Sequence, residues 1–178
     1  MKVFIAGPRV ITELDSNVTK RLEKIYNSKY TVIIGDADGI DTCIQKYFYN
    51  KNYKSVNVFA SNGKARNNIG NWEIKNIAVD TNIKGFDFYA AKDLEMAKEA
   101  DYGFMIWNGE SKGTFNNILN LININKKVLV YHTPTQKFYT IKDNEDLDKF
   151  IGQNKRLSSK LLKLLSKRVP DHVQMSML

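Results

Sequence analysis

Cysteine is almost absent: Cys43 stands alone in 178 residues, which excludes an internal disulfide and any zinc cage built from the cysteines of one chain. Three prolines and ten glycines are too few for a collagen-like, linker-like or low-complexity chain. The two histidines, His132 and His172, have no spaced carboxylate or second histidine beside them, so neither takes a metal or triad role. No metal and no cofactor are expected. Long hydrophobic runs are missing too. The apolar stretch in Met1-Lys2-Val3-Phe4-Ile5-Ala6-Gly7 is shorter than a signal-peptide core, and no later stretch approaches a membrane span. The expected compartment is therefore the reducing cytoplasm, with no membrane partner.

What is present is ordinary for a folded protein. Hydrophobic residues make up 43% and charged residues 26%, values at which a chain of this length forms one domain with a proper core. The formal charge of +8 resembles a nucleic-acid signal until it is located. Residues 1–148 hold 20 basic and 18 acidic side chains, whereas residues 149–178 hold seven basic and one acidic. The excess belongs mostly to the tail, where weak polyanion or nucleic-acid binding is plausible.

Short apolar runs rich in β-branched and aromatic residues alternate with stretches of helical period, the pattern of βα units that build a parallel sheet. Strands are predicted at Val3–Ala6, Thr31–Ile34, Val56–Ala60, Tyr102–Trp107 and Val128–Tyr131, with an edge strand at Lys137–Ile141. Helices are predicted at Ser16–Tyr26, Gly39–Tyr49, Ala91–Ala100 and Thr114–Ile124. The segment Ser61–Phe88 reads as a long irregular excursion, a candidate lid, with a weak helical pattern around Trp72–Ile77. The expected fold class is α/β, a Rossmann-like three-layer sandwich with a mostly parallel sheet, plus a C-terminal helical extension. Residues 1–144 form the expected domain and 145–178 a basic amphipathic tail. Within that tail, residues 149–168 are expected to form one helix whose leucines pack on the domain or on a second subunit, most simply as a dimer.

Three strand-end turns combine glycine with polar residues, and in an open parallel sheet ligands bind outside the carboxyl ends of strands. In Gly7-Pro8-Arg9, glycine permits close backbone approach, and arginine can pair with a phosphate or carboxylate or simply lie on the surface. Gly35-Asp36-Ala37-Asp38-Gly39-Ile40-Asp41 runs from a buried strand into a helix, whose amino end suits an anion. Its three carboxylates oppose a bare phosphate pocket and suit ribose hydroxyls better. Asp38 or Asp41 can equally cap that helix or complement its dipole. In Asn108-Gly109-Glu110-Ser111-Lys112-Gly113-Thr114, Gly109 and Gly113 would let backbone amides face an anion, while Ser111, Lys112 and Thr114 add hydroxyl and ammonium donors. The glycine and lysine spacing is not that of a P-loop. A plain hydrophilic turn with an N-cap is the alternative.

Read in order, these turns resemble the SLOG superfamily of Rossmannoid domains, which includes DprA/Smf-like proteins and LONELY GUY phosphoribohydrolases. The resemblance covers roughly residues 2–132 and is nearest to small stand-alone members of unassigned activity. Gly7 and Arg9 match the first turn of that superfamily, and Gly35, Gly39 and Asp41 its Gly-x-x-x-Gly-x-Asp turn. Arg66 with Asn67 and Asn68 matches its asparagine-containing segment, and Lys92-Asp93 with Met96 its Arg/Lys-Asp-x-x-Met helix. Gly109, Ser111, Gly113 and Thr114 match its Gly-x-Ser-x-Gly-Thr turn. The expected ligand-binding residues are Gly7, Arg9, Gly35, Asp36, Gly39, Asp41, Arg66, Asn108, Gly109, Ser111, Lys112, Gly113, Thr114 and Asn117, and the resemblance implies that this strand-end surface binds a nucleotide, a nucleotide-derived signal or nucleic acid. Phosphoribohydrolases of the superfamily, and the similar nucleoside deoxyribosyltransferases, place a catalytic glutamate shortly after the Gly-Thr pair. Asn117, preceded by Asn116, takes that place here, and an amide neither attacks an anomeric carbon as an anion nor accepts a proton at neutral pH.

The expected function is therefore binding of a nucleotide-derived or phosphorylated small molecule, as a sensor or carrier. The alternative is a nucleotide N-glycosidase or transferase using Asp36, Asp41 or Asp93 in place of the glutamate. A third reading is nucleic-acid binding through the basic tail. Asp93 and Glu95, two residues apart on a helix, do not share a face; Lys92 and Arg66 each read equally as solvated surface charges. Trp72, Trp107, Phe86, Phe88 and Tyr89 read as core rather than as base-stacking platforms.

Overall fold

A computed structural model describes residues 1–154 and 157–169; the tail residues 170–178, including His172, lie outside the described residues. The near-continuous apolar runs become β1 (Lys2–Ala6), β2 (Thr31–Ile34), β3 (Val56–Ser61), β5 (Tyr102–Trp107) and β6 (Val128–His132). Such runs arise because a parallel strand covered by helices is buried on both faces. With β4 (Glu73–Ile77) and β7 (Lys137–Ile141) they form one seven-stranded sheet in the order β4-β3-β2-β1-β5-β6-β7. Every neighbouring pair is parallel except β6–β7, whose tight turn returns the chain antiparallel. The sheet is thus the mostly parallel one expected.

Successive strand residues point to opposite faces, and the core divides accordingly. Val3, Ile5, Val32, Ile34, Phe104 and Ile106 pack with α1 (Ser16–Asn27) and α2 (Ile40–Asn50) on one face. Phe4, Ala6, Ile33, Met105, Trp107 and Val130 pack on the other with α3 (Phe86–Glu99), α4 (Lys112–Asn123), α5 (Asn144–Gln153) and α6 (Ser159–Leu165). The result is the three-layer sandwich.

Three local expectations need correction. The Trp72–Ile77 segment is not helical: it enters β4, paired in register with β3 from Asn57↔Glu73 to Ser61↔Ile77. Trp72 anchors the strand's start, its indole N–H donating to the Tyr53 carbonyl at 2.8 Å, so tertiary pairing overrides a weak local period. α3 begins at Phe86 rather than Ala91, because Gly85 at φ 65° turns the chain where no capping side chain marks the start. The single helix expected over 149–168 is two helices. The Asn154 side chain closes α5 by donating to the Phe150 carbonyl at 2.8 Å, and α6 begins after Ser158. Leu147, Phe150, Leu161 and Leu164, all buried, join the cluster around Val128 and Ile141, so both helices pack on the sheet.

β1 lies between β2 and β5. The chain therefore leaves β1 toward one edge and later returns to build toward the other, and this reversal opens a crevice outside the strand carboxyl ends.

Candidate functional site at the strand reversal

A cleft of about 550 Å³ occupies that crevice, between α3 and α4. Gly7 and Arg9 from the first turn, Gly35 and Asp41 from the second, and Asn108, Ser111, Gly113 and Thr114 from the third all line it, as do Arg66, Asp93 and Asn117. Asp36, Gly39, Gly109 and Lys112 do not face it. Gly39 turns the chain at φ 80°, and a Cβ there would strike the Arg9 backbone. Gly109, at φ 82°, lies against His132, whose Nε2 would be 3.3 Å from an added Cβ. Lys112 places its ammonium 3.7 Å from the centre of the Phe86 ring, a cation–π contact.

The third turn is held by its own side chains. Asn108 Oδ1 accepts from the amides of Glu110 at 3.2 Å and Ser111 at 2.9 Å. Ser111 caps α4, accepting from the Thr114 amide at 3.3 Å, and its hydroxyl lies 3.0 Å from that of Thr114. The first helical amides, of Lys112 and Gly113, donate to nothing among the described residues, as expected at a helix amino end. A Cβ on Gly113 would meet nothing within 4 Å, so this glycine opens onto the cleft. One turn further along α4, Asn117 is only 3% exposed. Its Oδ1 is buried without a hydrogen-bond partner among the described residues.

The second turn spends its carboxylates on the protein itself. Asp36 accepts from Arg66 Nη2 at 2.7 Å, Arg66 Nε at 3.1 Å and the Arg66 amide at 3.0 Å. Burial pushes the Asp36 carboxyl up, but the bonds from the Arg66 side chain and amide outweigh it and hold the group below its ordinary value. Asp36 is thus a clamp on the segment after β3, and Arg66 is its partner rather than a free surface charge. Neither Asp38 nor Asp41 caps α2. Asp38 accepts from Asn67 Nδ2 at 3.1 Å, and Asp41 accepts from the Ala37 amide at 3.1 Å.

Asp41 and Lys92 meet in the cleft wall. Lys92, 4% exposed, is no solvated charge; its ammonium lies 3.0 Å from Asp93 and 3.5 Å from Met96 Sδ. Gly35 is needed here, since a Cβ would come within 2.5 Å of Asp41 Oδ2 and 3.1 Å of Lys92 Nζ. Burial pushes the Asp41 carboxyl up to about 7, despite the opposing pull of Lys92. Burial also disfavours the Lys92 charge, yet Asp93 and Asp41 together raise its pKa.

At the rim, the guanidinium groups of Arg9 and Arg66 lie 5.0 and 4.9 Å from the Tyr89 ring centre. Tyr89, 37% exposed, lines the cleft rather than the core. Sequence reasoning missed it because α3 was started after it. It also missed Gln45, fully buried on α2, which donates to the carbonyls of Gly35 at 2.9 Å and Asn67 at 3.2 Å. Gln45 Oε1 accepts from the Ile69 amide at 3.0 Å. The four-residue spacing of Lys92 and Met96 was the available signal that Lys92 faces inward with Met96.

Chemically, the cleft offers unpaired amides beside two mutually bonded hydroxyls at one helix end, an unpaired buried amide oxygen, and a carboxyl poised near neutrality in its wall. Among the described residues no group of three His, Cys, Asp or Glu side chains is placed to hold a metal. No helix among them is long and apolar enough to cross a membrane.

Fold and cleft together define a Rossmann-like α/β protein with its concave site at the strand reversal. No protein-family model matches the chain, and no curated protein sequence matches it. Among solved structures, the fold is shared with DNA processing protein A from Helicobacter pylori, described in a single-stranded DNA binding mode. The two superpose with a TM-score of 0.57 over 95% of this chain and 82% of that one, at 14% sequence identity.

Proposed function

We propose that the cleft binds a phosphorylated, nucleotide-derived small molecule, with its phosphate at the amino end of α4. The observation that carries this reading is the unpaired set at that end, the Lys112 and Gly113 amides and the open face of Gly113, while the buried, partnerless Asn117 Oδ1 would accept from a hydroxyl or N–H of the same ligand rather than from its phosphate. A buried polar group without a partner is costly, and a ligand group supplies what the protein does not. Free amides and the dipole at a helix amino end favour an anion there. Asp41, which also lines the cleft, would take ribose hydroxyls.

Calorimetry with nucleosides, their monophosphates and ADP-ribose-like compounds tests this reading. Thr114→Ala should weaken phosphorylated ligands most, by about 1 kcal/mol for a neutral hydrogen bond and about 3 kcal/mol toward a charged partner. Asp41→Asn should weaken ligands with free ribose hydroxyls most. Parent-like binding of every ligand by both variants overturns the assignment.

A second reading is N-glycosidic cleavage or transfer on the same cleft. It is favoured by the Asp41 carboxyl near neutrality, a value suited to proton transfer, whereas Asp36 is tied up by Arg66. Release of free base from a nucleoside monophosphate panel, lost in Asp41→Asn, tests it. A third is binding of single-stranded nucleic acid, supported by the activity ascribed to DNA processing protein A and by the Arg9–Tyr89–Arg66 rim. Arginine beside an exposed ring suits stacked bases, and a steep loss of affinity with salt is its signature.

A further inference from the structure

A second cavity, of about 350 Å³, opens at the opposite end of the sheet from the cleft. It lies between the last turns of α1 and the residues that start β2 and β5. Arg21, Lys24, Asn27, Ser28, Tyr30 and Tyr102 line it, with Ile25 as the one aliphatic contributor, and no carboxylate is among them.

The balance of hydrogen-bonding groups in this cavity is one-sided. Arg21 Nε and the Tyr102 hydroxyl are buried atoms without a hydrogen-bond partner among the described residues. Even where the guanidinium leans on the phenol oxygen, the phenol proton and the other guanidinium N–H groups find no acceptor among the described residues. Arg21 and Lys24 form no ion pair among the described residues. A half-buried guanidinium without a carboxylate is unusual, because buried donors are normally satisfied and buried charges normally paired.

Two other uses of these cations are already filled. The carbonyls that end α1 accept from the chain itself, Lys24 from the Ser28 amide at 3.0 Å and Ile25 from the Tyr30 amide at 3.3 Å, so the basic side chains are not needed as caps. The carboxylates nearest along the chain are engaged elsewhere: Glu23 accepts from the Tyr47 hydroxyl at 2.5 Å and Lys51 Nζ at 2.7 Å, and Asp101 from the Lys2 amide at 2.6 Å.

We infer that this cavity is a second anion site that takes an oxyanion of the phosphate class, held by the Arg21 guanidinium and the Tyr102 hydroxyl, with the Lys24 ammonium at its mouth. Guanidinium and phenol supply the forked and single donors that a tetrahedral oxyanion accepts. The site is separate from the cleft and does not depend on what the cleft binds.

The test is an amide NMR titration of the full chain with inorganic phosphate at constant ionic strength. Saturable shifts at Ser28 and Tyr102 are expected, independent of any at Gly113. Arg21→Gln should weaken them about tenfold or more, the fold-change of one charge-assisted hydrogen bond. Tyr102→Phe, which keeps the ring, should weaken them about fivefold, and Thr114→Ala should leave them unchanged. A parallel titration with a nucleoside monophosphate separates the sources. Equal affinity assigns free phosphate and tighter binding a phosphomonoester, and either supports the site. Shifts confined to the amino end of α4, or shifts at Ser28 and Tyr102 that sodium chloride reproduces, overturn it.

Discussion

Replacing Asp41 by asparagine removes a titration that the fold makes expensive. The carboxyl, ordinarily near 3.8, is pushed up to about 7 by burial, so between those values the folded protein holds a proton that the unfolded chain has released. Stability contributed by that proton is complete on the acid side of the ordinary value and is lost as pH rises through about 7. At about 1.36 kcal/mol per unit, this one group lowers parent stability by about 3 kcal/mol between pH 5 and pH 8. Asparagine keeps the shape, and Lys92 keeps Asp93 at 3.0 Å. His132, whose pKa burial lowers, adds stability as pH rises through its ordinary range, but it does so in both proteins and cancels in their difference. Urea unfolding of parent and variant from pH 5 to pH 8, extrapolated linearly to water, should therefore show the gap moving in the variant's favour by about 3 kcal/mol. Parallel stability profiles across that range would refute the buried, near-neutral carboxyl.

Asp36→Ala should cost about 1–3 kcal/mol, because the Arg66 side chain and amide both lose their acceptor. Hydrogen exchange at the Arg66 and Ile69 amides should rise before the rest of the domain opens. Leu161→Ala, at a fully buried α6 position, should cost about 2–5 kcal/mol in a single unfolding transition shared with the sheet; a separate early transition would detach α6 from the core. Tyr89→Ala, at an exposed site, should leave stability within about 1 kcal/mol. If single strands stack on that ring, the same change should lower their affinity by about 1–3 kcal/mol per base in fluorescence anisotropy.

The sheet was legible because its strands are buried on both faces and announce themselves as continuous apolar runs. β4 was not: as an edge strand with exposed Glu73 and Ile74, it owes its conformation to register with β3 and to the Trp72 anchor. The C-terminal leucines of 149–168 were legible as a buried stripe, but the break between α5 and α6 was not, because it is made by the Asn154 side chain. Residues of all three glycine turns line one cleft. Their chemistry was harder to read, since a carboxylate's partner can lie 30 residues away, as Arg66 does from Asp36. Nothing local distinguishes Asp36, tied to the protein, from Asp41, facing the cleft. The inward turn of Lys92 was signalled only by its four-residue spacing from Met96, and the unpaired Oδ1 of Asn117 follows only once α3 and α4 lie side by side on the sheet.

Gly113→Ala tests the cleft most directly, because it separates folding from binding. The added methyl meets nothing within 4 Å in the protein, and alanine is the better helix former by about 0.5–1 kcal/mol. Stability should therefore hold or rise. The same methyl stands where the phosphate should approach the α4 amides, so calorimetric affinity for the nucleoside monophosphate that the parent binds best should fall at least about tenfold, about 1.4 kcal/mol. A variant that is stable and binds that ligand as the parent does, or a parent that binds no phosphorylated nucleotide at all, would contradict a phosphate seat at the amino end of α4.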